Sequence, residues 1–84
     1  MEKKNTVTSE QVEHILVNAT WDFDTKFGKT TICTCVLPNG FIIVESSSCV
    51  DPANYDEEIG RSICVDRIRS KVWELEGYVL QSNQ

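Results

Sequence analysis

Histidine and methionine each occur once in this 84-residue chain, proline twice and glycine four times, and the scarcities already narrow the possible functions. A single histidine, His14, leaves no second imidazole for a zinc site or a proton relay, and no base at a motif spacing completes a nucleophilic triad. Long apolar runs are missing too. The longest, Phe41 to Val44, falls far short of the roughly 20 residues that span a bilayer, and the polar start Met1-Glu2-Lys3-Lys4-Asn5-Thr6 has no apolar core of a secretory leader. Positive charge is in deficit: eight Lys and Arg face thirteen Asp and Glu, giving a net charge of −5. A sequence-independent nucleic-acid coat needs a basic face to displace counterions, so direct nucleic-acid binding is not expected. The length excludes two independent cores. The expectation is a single domain over 1–84, cytosolic, with no membrane partner and with its four cysteines as thiols. Chains this short bury little surface, so a homodimer or higher homo-oligomer is expected as well.

Hydrophobic residues make up 40% and charged residues 25% of the chain, enough for a packed interior. Residues 1–7 are polar and expected to fray, and 82–84 form a tail. Thr8 with Gln11 three positions on predicts a capped helix over 9–19, with Val12, Ile15, Leu16 and Ala19 on one face. Trp21 and Phe23 then alternate with Asp22 and Asp24, an extended pattern. Thr30 to Leu37, the turn Pro38-Asn39-Gly40, and Phe41 to Ser47 predict a β-hairpin. A second helix is predicted over 55–76, started either by Asp51 with Pro52 or by Asn54 with Glu57, and stopped at Gly77. Its apolar stripe is Cys64, Val65, Ile68, Val72 and Leu75, broadened by Ile59 and Ile63, and Trp73 is expected in the core. Gly60 inside it costs about 1 kcal/mol relative to Ala and predicts close approach of another backbone or a ligand. The fold class is α+β: an N-terminal helix, a short antiparallel sheet with a central β-hairpin, and a long C-terminal helix. Its thin sheet would pair with a second copy through a sheet edge or the long helix.

Three local patterns carry possible chemistry. Cys33-Thr34-Cys35 places two thiols on one side of a strand, but zinc sites space cysteines more widely, and small buried apolar residues are the plainer reading. Gly28-Lys29-Thr30 resembles the end of a phosphate loop but lacks its upstream glycine, where Phe23 stands, and a strand follows instead of a helix. The third is the charge order of the second helix: Asp56, Glu57 and Glu58, then Arg61, Arg67, Arg69 and Lys71 with only Asp66 among them, then Glu74 and Glu76. Local cationic density in an acidic chain suits a small anionic ligand, while i,i+4 pairing on a solvated helix, as for Glu57 and Arg61, is the plainer explanation. Asn54 at the helix mouth would add free backbone amides to such a site. Trp21, Phe27 and Phe41 flank loops, where a ring can stack on a base or pack.

The segments Leu37-Pro38-Asn39-Gly40-Phe41, Cys49-Val50-Asp51-Pro52-Ala53-Asn54-Tyr55-Asp56-Glu57-Glu58-Ile59-Gly60-Arg61 and Val72-Trp73-Glu74-Leu75-Glu76-Gly77-Tyr78-Val79-Leu80 resemble a family of small tailed-phage proteins known by the product numbers gp forty-nine and gp sixty-six. The resemblance covers about residues 28 to 81. That family in turn resembles the first Thoeris anti-defence proteins, phage sponges that enclose the cyclic ADP-ribose signals of bacterial TIR immunity and also hold cyclic oligonucleotides. The resemblance implies a non-enzymatic protein of the host bacterial cytoplasm that sequesters an anionic cyclic nucleotide without cofactor or metal. Its ligand-binding candidates are Phe41, Asn54, Arg61, Arg67, Arg69 and Lys71. The alternative for a small acidic phage protein is an inhibitor that binds a host defence machine, such as an anti-CRISPR or a nucleic-acid mimic.

Overall fold

The computed structural model describes residues 6–84; the first five residues of the segment expected to fray lie outside it. The elements in chain order are α1 (Ser9–Val17), β1 (Thr20–Lys26), β2 (Thr30–Val36), β3 (Ile42–Ser48), a 3-10 turn (Pro52–Asn54) and α2 (Glu57–Ser82). This is the expected α+β arrangement.

The capping box forms as read: the Gln11 amide donates to Thr8 Oγ1 at 3.2 Å and the Thr8 amide donates to Gln11 Oε1 at 2.9 Å. Val12 and Leu16 are buried, with Ile15 and Ala19 packed at the margin. The helix stops at Val17 instead of 19, and side chains join backbone amides in capping its last carbonyls. Asn18 Nδ2 donates to the His14 carbonyl at 2.8 Å, and Trp21 Nε1 donates to that of Leu16 at 3.0 Å. Val7, expected to fray, packs against the core.

The three strands lie in the order β1-β2-β3, both pairs antiparallel. Register puts Trp21, Cys35 and Ile43 in one row and Phe23, Cys33 and Glu45 in the next, all on the face toward α2. Cys33 and Cys35 are fully buried there, whereas Ile42 and Val44 on the opposite face are exposed. The β1–β2 turn is closed by the Lys29 amide donating to the Lys26 carbonyl at 3.2 Å, with Phe27 at φ +55° and Gly28 at φ +66°. Glycine takes that conformation freely, but in a side-chain-bearing residue it costs about 1–2 kcal/mol. Phe27 is 91% exposed, so no packing among the described residues offsets that cost.

α2 differs from expectation at both ends. Its N-cap is Asp56, whose Oδ1 accepts from the amides of Glu58 at 2.9 Å and Ile59 at 3.3 Å. Asp51 instead caps the 3-10 turn, accepting from the Ala53 amide at 2.9 Å, and Asn54 caps nothing because it is the last residue of that turn. At the other end the helix runs through Gly77 to Ser82, since Gly77 keeps right-handed helical geometry and helix-compatible residues follow it. Gly60, Cys64, Ile68 and Val72, each four residues apart, form the ridge that meets the sheet. A ridge that narrow leaves Ile59 and Ile63 exposed, and Trp73 is 38% exposed instead of sealed in the core. The close approach expected at Gly60 is present. A Cβ there would stand 3.0 Å from Thr31 Cβ and would collide with its Oγ1. Tyr55 satisfies that buried hydroxyl at 2.6 Å and reaches Thr25 Oγ1 at 3.0 Å, tying the segment before α2 to β1 and β2.

Candidate functional site

The four cations of α2 leave the helix in different directions, and each has a neighbour in the fold. Arg61, on the β1 side, lies 4.7 Å from the centroid of the Phe23 ring and pairs with Glu57 one turn earlier. Phe23 itself stacks on Trp21 with centroids 6.0 Å apart, so aromatic rings and guanidinium form one layer over the β1 edge. Arg69, on the α1 side, binds Glu13 at 2.7 Å and Asp66 at 2.8 Å. The hydrogen bond from Arg69 holds the Glu13 carboxyl below the usual range, and the same bond pushes the Arg69 guanidinium up.

Arg67 and Lys71, four apart, both reach β3. Arg67 Nη1 donates to the Ser46 backbone carbonyl at 2.6 Å, and Lys71 Nζ lies 3.8 Å from a Glu45 carboxylate oxygen. The Ser46 carbonyl is neutral, and Arg67 makes no ion pair among the described residues, so its full charge remains beside an edge strand. This pair is the part of the cationic segment best placed to meet an anion.

The helix mouth is occupied differently from the sequence expectation. The amides that an anion would have met there are taken by the chain's own Asp56 carboxylate, so Asn54 faces a site that is already neutralised. Asn54 instead lines a cleft of about 120 Å³ with Tyr55, Ile59, Gly60 and Ile63. Phe41 is half-exposed in the β2–β3 turn, where its amide donates to Asn39 Oδ1 at 3.0 Å. A seven-residue strand, about 23 Å, separates that turn from the cleft. Within one copy the fold thus brings Arg67 and Lys71 together and leaves Phe41, Asn54, Arg61 and Arg69 apart.

Three of the four thiols belong to the interior, and Cys49 is partly exposed. Cys33, Cys35 and Cys64 are fully buried and unbridged. Burial, then the neighbouring thiols Cys64 and Cys35, pushes Cys33 up to about 11, and burial raises Cys35 and Cys64 as well. Thiols held protonated make poor nucleophiles and metal ligands. Among the described residues no three His, Cys, Asp or Glu side chains assemble to hold a metal, and no helix is long and apolar enough to cross a membrane.

Two of these features lay outside the sequence expectation, one with a local signal and one without. Asp56 ahead of Glu57 and Glu58 is an acidic helix start, a signal that competes with Asp51 and Asn54 a few positions earlier. The Thr25–Tyr55–Thr31 hydroxyl cluster spans three elements and had no local signal.

A family model described as the phage protein (N4 Gp49/phage Sf6 gene 66) family matches residues 7–84, and the chain belongs to that family. No curated protein and no solved structure matches it.

Proposed function

We propose that this phage protein binds without catalysing: it sequesters a small anionic cyclic nucleotide of bacterial immunity in the host cytoplasm. The ligand class is a cyclic ADP-ribose isomer of Thoeris signalling or a cyclic oligonucleotide of CBASS. The observation that carries this reading is Arg67, whose charge meets a neutral carbonyl and no carboxylate among the described residues, with Lys71 one turn on. Guanidinium pairs bidentately with phosphate, and such charge-assisted bonds form readily on an exposed basic pair. The cleft beside Asn54, at about 120 Å³, is smaller than the roughly 300–1,000 Å³ of ordinary ligand pockets. A nucleotide would therefore be enclosed between copies, which suits the homo-oligomer expected of so short a chain.

Calorimetry with cyclic ADP-ribose isomers and cyclic di- and trinucleotides tests the reading. Arg67→Ala and Lys71→Ala should each weaken binding by about tenfold to a hundredfold, as expected for a lost charge-assisted hydrogen bond, with melting little changed. Arg61→Ala and Arg69→Ala should chiefly change stability, because those side chains hold Phe23, Glu57, Glu13 and Asp66. No binding of any nucleotide at tens of micromolar, or full affinity in all four variants, would overturn it.

A second reading, inhibition of a host defence machine by direct contact, draws on the sheet face turned away from α2. Ile32, Val36, Ile42 and Val44 share that face with Asp22 and Asp24, an apolar strip with an acidic margin that suits a protein surface. Recovery of a stoichiometric host protein with the tagged chain from infected cells would favour this reading, because a sponge recovers none.

A further inference from the structure

The β1–β2 turn holds a phenylalanine where the backbone favours glycine or asparagine, and leaves its ring in water. Phe27 combines φ +55° with 91% exposure, two unfavourable features that nothing among the described residues offsets. Such an outlier points to a contact outside the chain. The nearby cleft lined by Tyr55, Ile59, Gly60 and Ile63 has about 120 Å³ of room. A cavity of roughly 150 Å³ takes up benzene, so the cleft is on the scale of one aromatic ring. We infer that Phe27 is a knob received by this cleft of a second copy of the chain, the two copies exchanging knobs about a twofold axis.

Charge and placement support that occupant. Knob and cleft lie at the same end of the molecule, because the Cys49 amide beside the cleft donates to the Lys29 carbonyl of the turn at 3.0 Å. Two copies can therefore meet end to end and satisfy both contacts at once, which closes the assembly as a dimer. Lys26 and Lys29 flank the knob, and Asp56, Glu57 and Glu58 begin the helix that borders the cleft. Lys29 and Glu58 make no ion pair among the described residues, so each can meet its opposite on the second copy. The same acids argue against an anionic bilayer as the surface that takes the ring, since Asp51, Asp56, Glu57 and Glu58 at this end would be repelled by it.

Sedimentation equilibrium of the full chain, with no nucleotide present, tests the exchange separately from the sponge reading. The wild-type chain should dimerise at tens of micromolar. Phe27→Asn should weaken association about a hundredfold or more, the scale of losing the buried aromatic side chain from both exchanged contacts, while melting at or above the wild-type temperature in dilute solution because Asn accepts the left-handed turn. Ile59→Asp should weaken association similarly. An equimolar mixture of the two variants should associate better than either alone, because one intact knob then meets one intact cleft. If Ile59→Asp fails to fold, Lys29→Glu and Glu58→Lys replace it: each alone should weaken the dimer, and the double variant should regain it. A wild-type monomer at hundreds of micromolar, an undiminished Phe27→Asn dimer, a mixture or double variant that recovers nothing, or Phe27-dependent binding to phosphatidylserine vesicles would each overturn the inference.

Discussion

Gly60 and Gly77 lie on the same helix and face opposite circumstances. At Gly60 the helix passes so close to β2 that a Cβ would collide with Thr31, while at Gly77 a Cβ would meet nothing within 4 Å. The first glycine is fixed by packing, and the second is tolerated at a site where packing makes no demand. The difference marks where α2 changes role. Up to Val72 it is pinned to the sheet by a narrow buried ridge, and beyond it Tyr78 and Val79 stand exposed. At 26 residues the helix is about 39 Å long against strands of about 23 Å, so its last turns extend past the sheet they cover.

Gly60→Ala should break the contrast most severely, lowering unfolding stability by about 2–3 kcal/mol as overpacking does, read from urea denaturation. Adding Thr31→Ala should return part of that loss, because it removes the hydroxyl that the new methyl strikes. An unchanged urea midpoint for Gly60→Ala would show that helix and sheet can separate at this point without penalty.

Alkaline pH should act on the pinned half next. The Cys33 proton is held more tightly in the fold, up to about 11, than in the unfolded chain, where thiols titrate near 8.5. The folded chain then retains a proton that the unfolded chain releases. Stability should therefore hold below about pH 8 and fall as pH rises toward 11, by at most about 1.4 kcal/mol per pH unit for one thiol. Cys33→Ala should flatten that slope, and a midpoint independent of pH from 8 to 10 would contradict the buried placement of the thiols.

The smallest effect has the opposite sign. Gly77→Ala should stabilise the chain by up to about 1 kcal/mol, since it adds helix propensity in open space. Destabilisation there would mean that another chain packs against this turn of the helix.

What could be read from the sequence follows the range of the forces involved. The capping box at Thr8, the central hairpin and the close approach at Gly60 are short-range signals, written within a few residues, and all three are present in the fold. The end of α2 was not legible because Gly77 terminates a helix only where the chain turns left-handed after it, and nothing local shows whether it does. The start was misplaced because Asp51, Asn54 and Asp56 all have capping side chains, and tertiary contacts through Tyr55 select among them. The candidate site was legible as composition and not as geometry. Spacing alone put Arg67 and Lys71 on one face and Glu57 one turn before Arg61, but only the fold shows that Phe23 lies against Arg61, that Glu13 engages Arg69, and that Asp56 occupies the helix mouth.

Sequestration without turnover is tested most directly by incubating the protein with cyclic ADP-ribose isomers and cyclic oligonucleotides, removing free ligand, heating the complex and identifying the released nucleotide by mass spectrometry. The expected result is one cyclic nucleotide released unchanged and in fixed ratio to protein. Release of a linear or hydrolysed product, or of no nucleotide at all, would contradict it.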